Sequence, residues 1–263
     1  MNISYKIFNP AGNITALVLG DEYNLEQKKL INKKIMEQEP KVEQVGFISQ
    51  KYKRLTMAGG EFCGNATRCA TLYYIEKQQS IELEINNNKI KAGINEKEEV
   101  WCKIPIEQYK IIKIHKNIYK VLLKGITILV VNDITNYKNF KQNARGLIKK
   151  YNLDDDAVGV MFVDRVENII KIYPIVWVRE IDTLFFENAC GSGTIAVAML
   201  ESWLTNTSRE YHVMQPSGEI LIAEITINNN VIKKAILKGK IKVDNEVRKI
   251  VIEEKTLWKN INY

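Results

Sequence analysis

The sequence predicts an α+β protein built as two similar halves, mostly short strands with a few helices. Three observations carry this. Short Ile- and Val-rich runs, often alternating with polar residues, recur between turns rich in Asn, Gly and Lys, which is the pattern of half-buried strands. Two Cys-Gly pairs, Cys63-Gly64 and Cys190-Gly191, each follow a strand pattern and open a helical one. Their cysteines lie 190 − 63 = 127 residues apart, close to half of the 263 residues, which points to a degenerate internal duplication.

In chain order, strands are expected at Thr15 to Leu19, Val45 to Ser49, Ile81 to Ile85, Val100 to Ile104, Ile126 to Val131, Gly159 to Val163, Ile169 to Trp177, Ile220 to Ile227 and Val231 to Leu237. Tyr109 to Lys124 alternates Lys with Ile and Leu as an edge strand does. Helical signal is confined to Leu25 to Glu39, Asn139 to Tyr151 and the stretches after Cys63 and Cys190. The last of these is apolar nearly all the way round from Ile195 to Leu204, so it is expected inside a cage of strands. The halves are expected to meet near Lys113 to Asn117, giving domains of 1–116 and 117–263.

Composition narrows the function classes. With 46% hydrophobic and 26% charged residues the chain has enough apolar material for a core, which excludes a disordered protein. No apolar run approaches the length of a membrane span, and the N-terminus lacks a cationic start followed by an apolar block, so a cytoplasmic location is expected. The net charge of +7 is spread among Glu and Asp rather than gathered into a stripe, which argues against nucleic-acid binding. His115 and His212 are isolated and neither CxxC nor HExxH occurs, so no metal site is expected.

The chemistry concentrates at the two Cys-Gly turns. A helix N-terminus carries N–H groups without intrahelical partners and a partial positive charge, so it attracts an anion and lowers the pKa of a thiol placed there. Gly64 lets the backbone approach a ligand, and Asn65 is a capping type; Gly191 and Ser192 repeat the arrangement after Cys190. Two such thiols can bracket a small carboxylate-bearing molecule, one removing the proton beside the carboxylate and the other returning one from the opposite face. No Schiff-base lysine motif or phosphate loop suggests pyridoxal phosphate, so no cofactor is expected. Cys69 and Cys102 read as packing residues.

The segments Glu61-Phe-Cys63-Gly-Asn-Ala-Thr-Arg-Cys69 and Asn188-Ala-Cys190-Gly-Ser-Gly-Thr194, with Asn9-Pro-Ala-Gly-Asn13 near the start, resemble the cofactor-independent amino-acid racemases of the diaminopimelate epimerase and proline racemase superfamily. The resemblance runs over the whole chain in order and spacing. It implies a diaminopimelate-epimerase-like fold of two pseudo-symmetric domains, each wrapping strands around a central helix, with the active site in the interdomain cleft and one catalytic thiol from each. It also implies a homodimer and a last strand, at about 247–252, that returns to the first domain. Asn13 and Gln44 lie where the epimerases place substrate-contacting residues, Val178-Arg-Glu180-Ile-Asp stands in place of their Glu-Arg-Gly segment with altered spacing to Cys190, and Glu187 opens a Glu-Asn-x-Cys-Gly-Ser-Gly-Thr segment that histidine racemases share. Met57, Gly125 and Val178 depart from the diaminopimelate epimerase pattern and point away from that substrate. The motifs around Cys63 and Cys190, with Gln215-Pro-Ser-Gly218, are most similar to histidine racemases, which implies interconversion of L- and D-histidine. Diaminopimelate or lanthionine-type substrates, another amino-acid racemase, and a non-enzymatic thiol redox sensor are the alternatives.

Overall fold

A computed structural model describes residues 1–252, apart from 21, 50, 133, 135–136, 167–168 and 180–182. The chain forms two compact units, Met1–Val100 joined by the segment from Lys240 onward, and Trp101–Gly239. The division therefore falls at 100/101 rather than at the expected 116/117.

The first unit opens with β1 (Asn2–Asn9), β2 (Thr15–Leu19), α1 (Leu25–Gln38), β3 (Gln44–Ser49), β4 (Arg54–Met57), α2 (Gly64–Tyr74), β5 (Gln79–Ile85) and β6 (Asn88–Ile94). β1 and β2 pair antiparallel, β2 and β3 parallel across α1, β3 and β4 antiparallel, β4 and β5 parallel across α2, and β5 and β6 antiparallel. β3 is buried on both faces. Val45 and Phe47 pack with Ile31 and Ile35 of α1, while Gly46, on the alternate face, lies against Leu17 and Leu55. Each fully buried aliphatic side chain of this kind contributes about 1.5–3 kcal/mol.

β7 (Val100–Lys103) begins on the last residue of the Met1–Val100 segment, and the second unit continues with β8 (Lys110–His115), β9 (Ile118–Leu123), β10 (Ile126–Asn132), α3 (Phe140–Lys150), β11 (Ala157–Val166), β12 (Ile169–Val178), β13 (Thr183–Phe186), α4 (Gly191–Thr205), β14 (Arg209–Met214), β15 (Ile220–Asn228) and β16 (Val231–Gly239). Its pairing repeats that of the first unit. β9 and β10 are antiparallel, β10 and β11 parallel across α3, β11 and β12 antiparallel, β12 and β14 parallel across α4, and β14 and β15 antiparallel. The duplication inferred from cysteine spacing is thus present in the strand order. β13, which pairs with β12, has no counterpart among the described residues of the first unit.

Ile195 to Leu200 of α4 are completely buried, and the helix packs on β9 through β12 and β14 through β16, the cage expected from its all-round apolarity. α3 covers the other face of its sheet, where Ala144 and Leu147 meet Leu129, Val160 and Phe162. After β16 the chain rejoins the first unit as β17 (Lys242–Val243) and β18 (Arg248–Val251), both antiparallel to β1. Arg248 fastens this return by pairing with Glu39 and Asp244.

The region read as one edge strand and a boundary turn, Tyr109 to Lys124, is the β8–β9 hairpin, with His115 opposite Ile118. β1, β4, β6, β13, β14 and β17 lie outside the expected strands: β4, β13 and β17 are four residues or fewer, and β6 and β14 carry two charged residues each. Two hairpins declare themselves by chemistry: Asn86-Asn87 and Asn229-Asn230 all take positive φ and close two-residue turns, at β5–β6 and β15–β16.

Candidate active site

Both thiols sit at a strand-to-helix corner, and each is itself the N-cap of its helix. Cys63 caps α2 at φ −127°, ψ 115°, and Cys190 caps α4 at φ −120°, ψ 108°. The Ala66 N–H donates to Cys63 Sγ at 3.4 Å and the Gly193 N–H to Cys190 Sγ at 3.3 Å. Asn65 and Ser192, expected as caps from residue type, lie inside the first turn. The corner register puts the sulfur, not those side chains, in front of the free N–H groups. Thr67 and Thr194, four residues beyond each cysteine, donate their hydroxyls to the cysteine carbonyls at 2.7 Å. The two corners are copies in hydrogen bonding as well as in backbone angles.

In the first unit the structure brings Asn13, Gln44, Cys63, Gly64 and Asn65 together. The parallel register of β2 and β3 sets Thr15 beside Gln44. Gln44 Nε2 donates to Thr15 Oγ1 at 2.7 Å and to Asn13 Oδ1 at 2.6 Å, which leaves Gln44 Oε1 to accept the Cys63 thiol at 3.1 Å. Asn65 Nδ2 also donates to Asn13 Oδ1, at 3.3 Å, and Asn13 Nδ2 donates to Glu43 at 2.8 Å. Cys63 is half-buried, whereas Asn13, Gly64 and Asn65 are buried.

In the second unit Glu187, Cys190, Gly191 and Ser192 come together; Glu180 lies outside the described residues. Gln215 accepts the Cys190 N–H at 3.0 Å and donates to Thr194 Oγ1 and to the Val213 carbonyl, locking the corner from β14. The Ser192 hydroxyl lies 3.4 Å from Cys190 Sγ. Gly193 has a steric role, since a Cβ there would fall 2.2 Å from Met161 Sδ and 3.2 Å from Cys190 Sγ.

The expectation that the helix terminus lowers the thiol pKa fails at Cys190. Burial pushes its thiol well above the ordinary range, and the negative charge and hydrogen bond of Glu187 push it further; the Ser192 and Gly193 contacts pull down by less. Burial and Glu187 thus both disfavour the thiolate at Cys190. None of the four cysteines is in a disulfide. Cys69 and Cys102 are fully buried in packing positions. Among the described residues no cluster of three His, Cys, Asp or Glu side chains could hold a metal, and no helix is long and apolar enough to cross a membrane.

Sequence reasoning missed Thr15, Glu43, Thr67, Arg68, Met161, Thr194 and Gln215 as site members. The two threonines were recoverable, because both corners read Cys-Gly-x-x-Thr. Glu43, Arg68 and Met161 become legible only once their partners are in place.

The fold and the twin thiol corners define the class to which comparison also leads, that of amino-acid racemases and epimerases. A hydroxyproline epimerase from Agrobacterium vitis, solved with bound trans-4-hydroxy-L-proline, shares the fold with a TM-score of 0.64 at 12% identity, over 95% of this chain and 92% of that one. A histidine racemase from Fusobacterium nucleatum is 32% identical over 228 residues, 80% of this chain and 85% of the relative. One from Staphylococcus aureus is 24% identical over 242 residues, 84% of this chain and 88% of the relative. The family model described as the histidine racemase CntK N-terminal domain matches residues 2–247, and this chain belongs to the histidine racemase family.

Proposed function

We propose that this chain interconverts L- and D-histidine without a cofactor, with Cys63 and Cys190 as the base and acid at the α-carbon. The carrying observation is the pair of equivalent corners, each presenting a thiol as the cap of a helix whose N-terminal end suits a carboxylate. One thiolate takes the α-proton, so a C–H bond breaks and an S–H bond forms. The electron pair moves onto the substrate carboxylate, where helix N-terminal dipoles stabilise the growing charge. The other thiol then gives its proton to the opposite face, and the two sulfurs end with exchanged protonation states.

A two-base inversion needs one group on each face, so a substrate held by both helix starts is part of the proposal. The resting state that fits best has Cys190 as the acid, because burial and Glu187 keep its proton in place. Asn13, Gln44, Gly64, Asn65, Gly191 and Ser192 are proposed to contact substrate, and Glu187 to act beside Cys190.

The test is α-proton exchange in heavy water over a panel of histidine, diaminopimelate and proline. Early D-histidine should carry solvent deuterium while remaining L-histidine stays largely unlabelled. A higher kcat/KM for diaminopimelate would overturn the substrate, and absence of exchange with any amino acid would favour a thiol sensor. Cys63→Ser and Cys190→Ser should each lower racemisation by about a hundredfold or more, the usual worth of one acid–base group. Since the enantiomers have equal free energy, kcat/KM must fall equally in both directions for any variant. A single serine variant with near-native racemisation would remove that thiol from the mechanism.

A further inference from the structure

Arg68 is completely buried in the second turn of α2. The corresponding position of α4, five residues after Cys190 rather than Cys63, is Ile195, also completely buried. A helix in this setting packs without a cation, so the guanidinium needs its own explanation, because burying a charge is costly unless its donors are matched. Its Nε donates to the Val100 carbonyl at 2.9 Å and one Nη to Asn65 Oδ1 at 3.2 Å.

From Asn65 a continuous chain of side chains leads to the thiol. Asn65 donates to Asn13 Oδ1, Gln44 donates to the same oxygen, and Gln44 Oε1 accepts from Cys63 Sγ. Three of the four residues in this chain, Asn65, Asn13 and Gln44, carry carboxamides, which can present either oxygen or nitrogen by a half-turn. The ends of the network cannot turn: Arg68 only donates, and Glu43, which takes the Asn13 Nδ2 proton, only accepts when ionised. With the ends set, Asn65 directs nitrogen at Asn13, Asn13 directs oxygen at Gln44, and Gln44 directs oxygen at the sulfur.

We propose that Arg68 is a positioning residue for Cys63: with Glu43 it sets the direction of the Asn65–Asn13–Gln44 amide chain, so that an acceptor faces the Cys63 thiol. An acceptor on the neutral thiol favours the protonated form, the state Cys63 reaches when it takes the α-proton, so the network makes its thiolate the stronger base. The inference rests on the two-thiol reading for its bearing on catalysis, while the state of Cys63 is measurable without turnover. The titratable groups on the described residues of the neighbouring strands are few and lie toward solvent. β2 and β3 carry no titratable side chain. On β4 to β6, Arg54 pairs with Glu84 and Lys89 with Glu82, all at exposed or half-buried positions, and Lys91 is exposed. Glu61, two residues before Cys63, remains the same in every variant below.

The experiment follows alkylation of Cys63 by iodoacetamide against pH in substrate-free protein, read on its own peptide by mass spectrometry, with kcat and KM for histidine alongside. Arg68→Met should lower the half-point by about one pH unit, on the order of one hydrogen bond to the neutral thiol. It should lower kcat about tenfold with a smaller change in KM. Arg68→Lys, which can still donate to Asn65, should keep the half-point near native. Asn65→Ala breaks the chain at its next link and should reproduce the Arg68→Met shift; it carries the test if the methionine variant does not fold. A native half-point in folded Arg68→Met or folded Asn65→Ala would overturn the proposal and leave Arg68 as a tie between α2 and Val100. A shifted half-point in a protein that does not racemise histidine would keep the proposal and overturn the substrate reading instead.

Discussion

Gly193→Ala adds one methyl group at the most crowded point of the second thiol corner. The new Cβ would lie 2.2 Å from Met161 Sδ, closer than real Cβ atoms come, and tightly at 3.1 Å from Met161 Cε and 3.2 Å from Cys190 Sγ. Met161 has little room to retreat, because its Cε already occupies the space a Cβ at Gly159 would take, at 2.8 Å. Two terms oppose each other. Overpacking of a buried site costs about 1–3 kcal/mol, and replacing a helical glycine by alanine returns up to about 1 kcal/mol. The net is a loss of roughly 0–2 kcal/mol, and at about 2–4 °C per kcal/mol for a chain near this size the Tm should fall by several degrees at most. Activity should fall by more than stability does. The methyl presses on the sulfur proposed to deliver the proton, and small displacements of a reacting group cost about tenfold to a hundredfold. The assay pairs thermal melts with kcat/KM for histidine in Gly193→Ala, Met161→Val and the double variant. Because Val vacates the volume the methyl needs, the double variant should be more stable than the two single losses added together, by about 1 kcal/mol. Native Tm and native kcat/KM in Gly193→Ala would refute the steric argument, and strict additivity would show that Met161 is not the obstacle.

Glu187→Gln removes the charge that helps hold the Cys190 proton, so the thiol should ionise at lower pH while burial, the larger cause, still keeps it above the ordinary range. The alkaline limb of the kcat/KM profile should move to lower pH; an unmoved limb would separate Glu187 from Cys190. Tyr5 is pushed up to about 12, first by burial and then by the charge and hydrogen bond of Glu39. In Glu39→Gln its phenolate transition, followed by ultraviolet difference titration against Tyr5→Phe, should fall but stay above 10, the ordinary tyrosine value; an unchanged transition would contradict the Glu39 contribution. Dialysis against a chelator and a carbonyl scavenger should leave racemisation unchanged if the two thiols suffice, and loss restored by a metal or pyridoxal phosphate would refute that sufficiency.

Much of the architecture was legible in the sequence because its signals are local. Alternating Ile and Val marked most of the strands, the all-round apolarity of Ile195 to Leu204 marked a caged helix, and two Cys-Gly pairs half a chain apart marked a duplication that the strand pairing repeats. Cys63 and Cys190 stood out for the same reason, since a strand, a turn and a helix start are contiguous in the chain. Tertiary structure decided what depends on partners far apart in sequence. The return of the chain to the first unit, implied in the sequence only by resemblance, rests on the pairing of β17 and β18 with β1. Only folding makes sulfur rather than Asn65 or Ser192 the helix cap, because corner register and not residue type selects the acceptor. The protonation of Cys190 could not be read from its motif, since burial and Glu187 outweigh a helix-terminal field that any Cys-Gly-helix sequence would share. Likewise Arg68 reads as a surface residue in isolation; its matched donors at Val100 and Asn65, which make burial of the charge tolerable, exist only when strand and helix have been brought together.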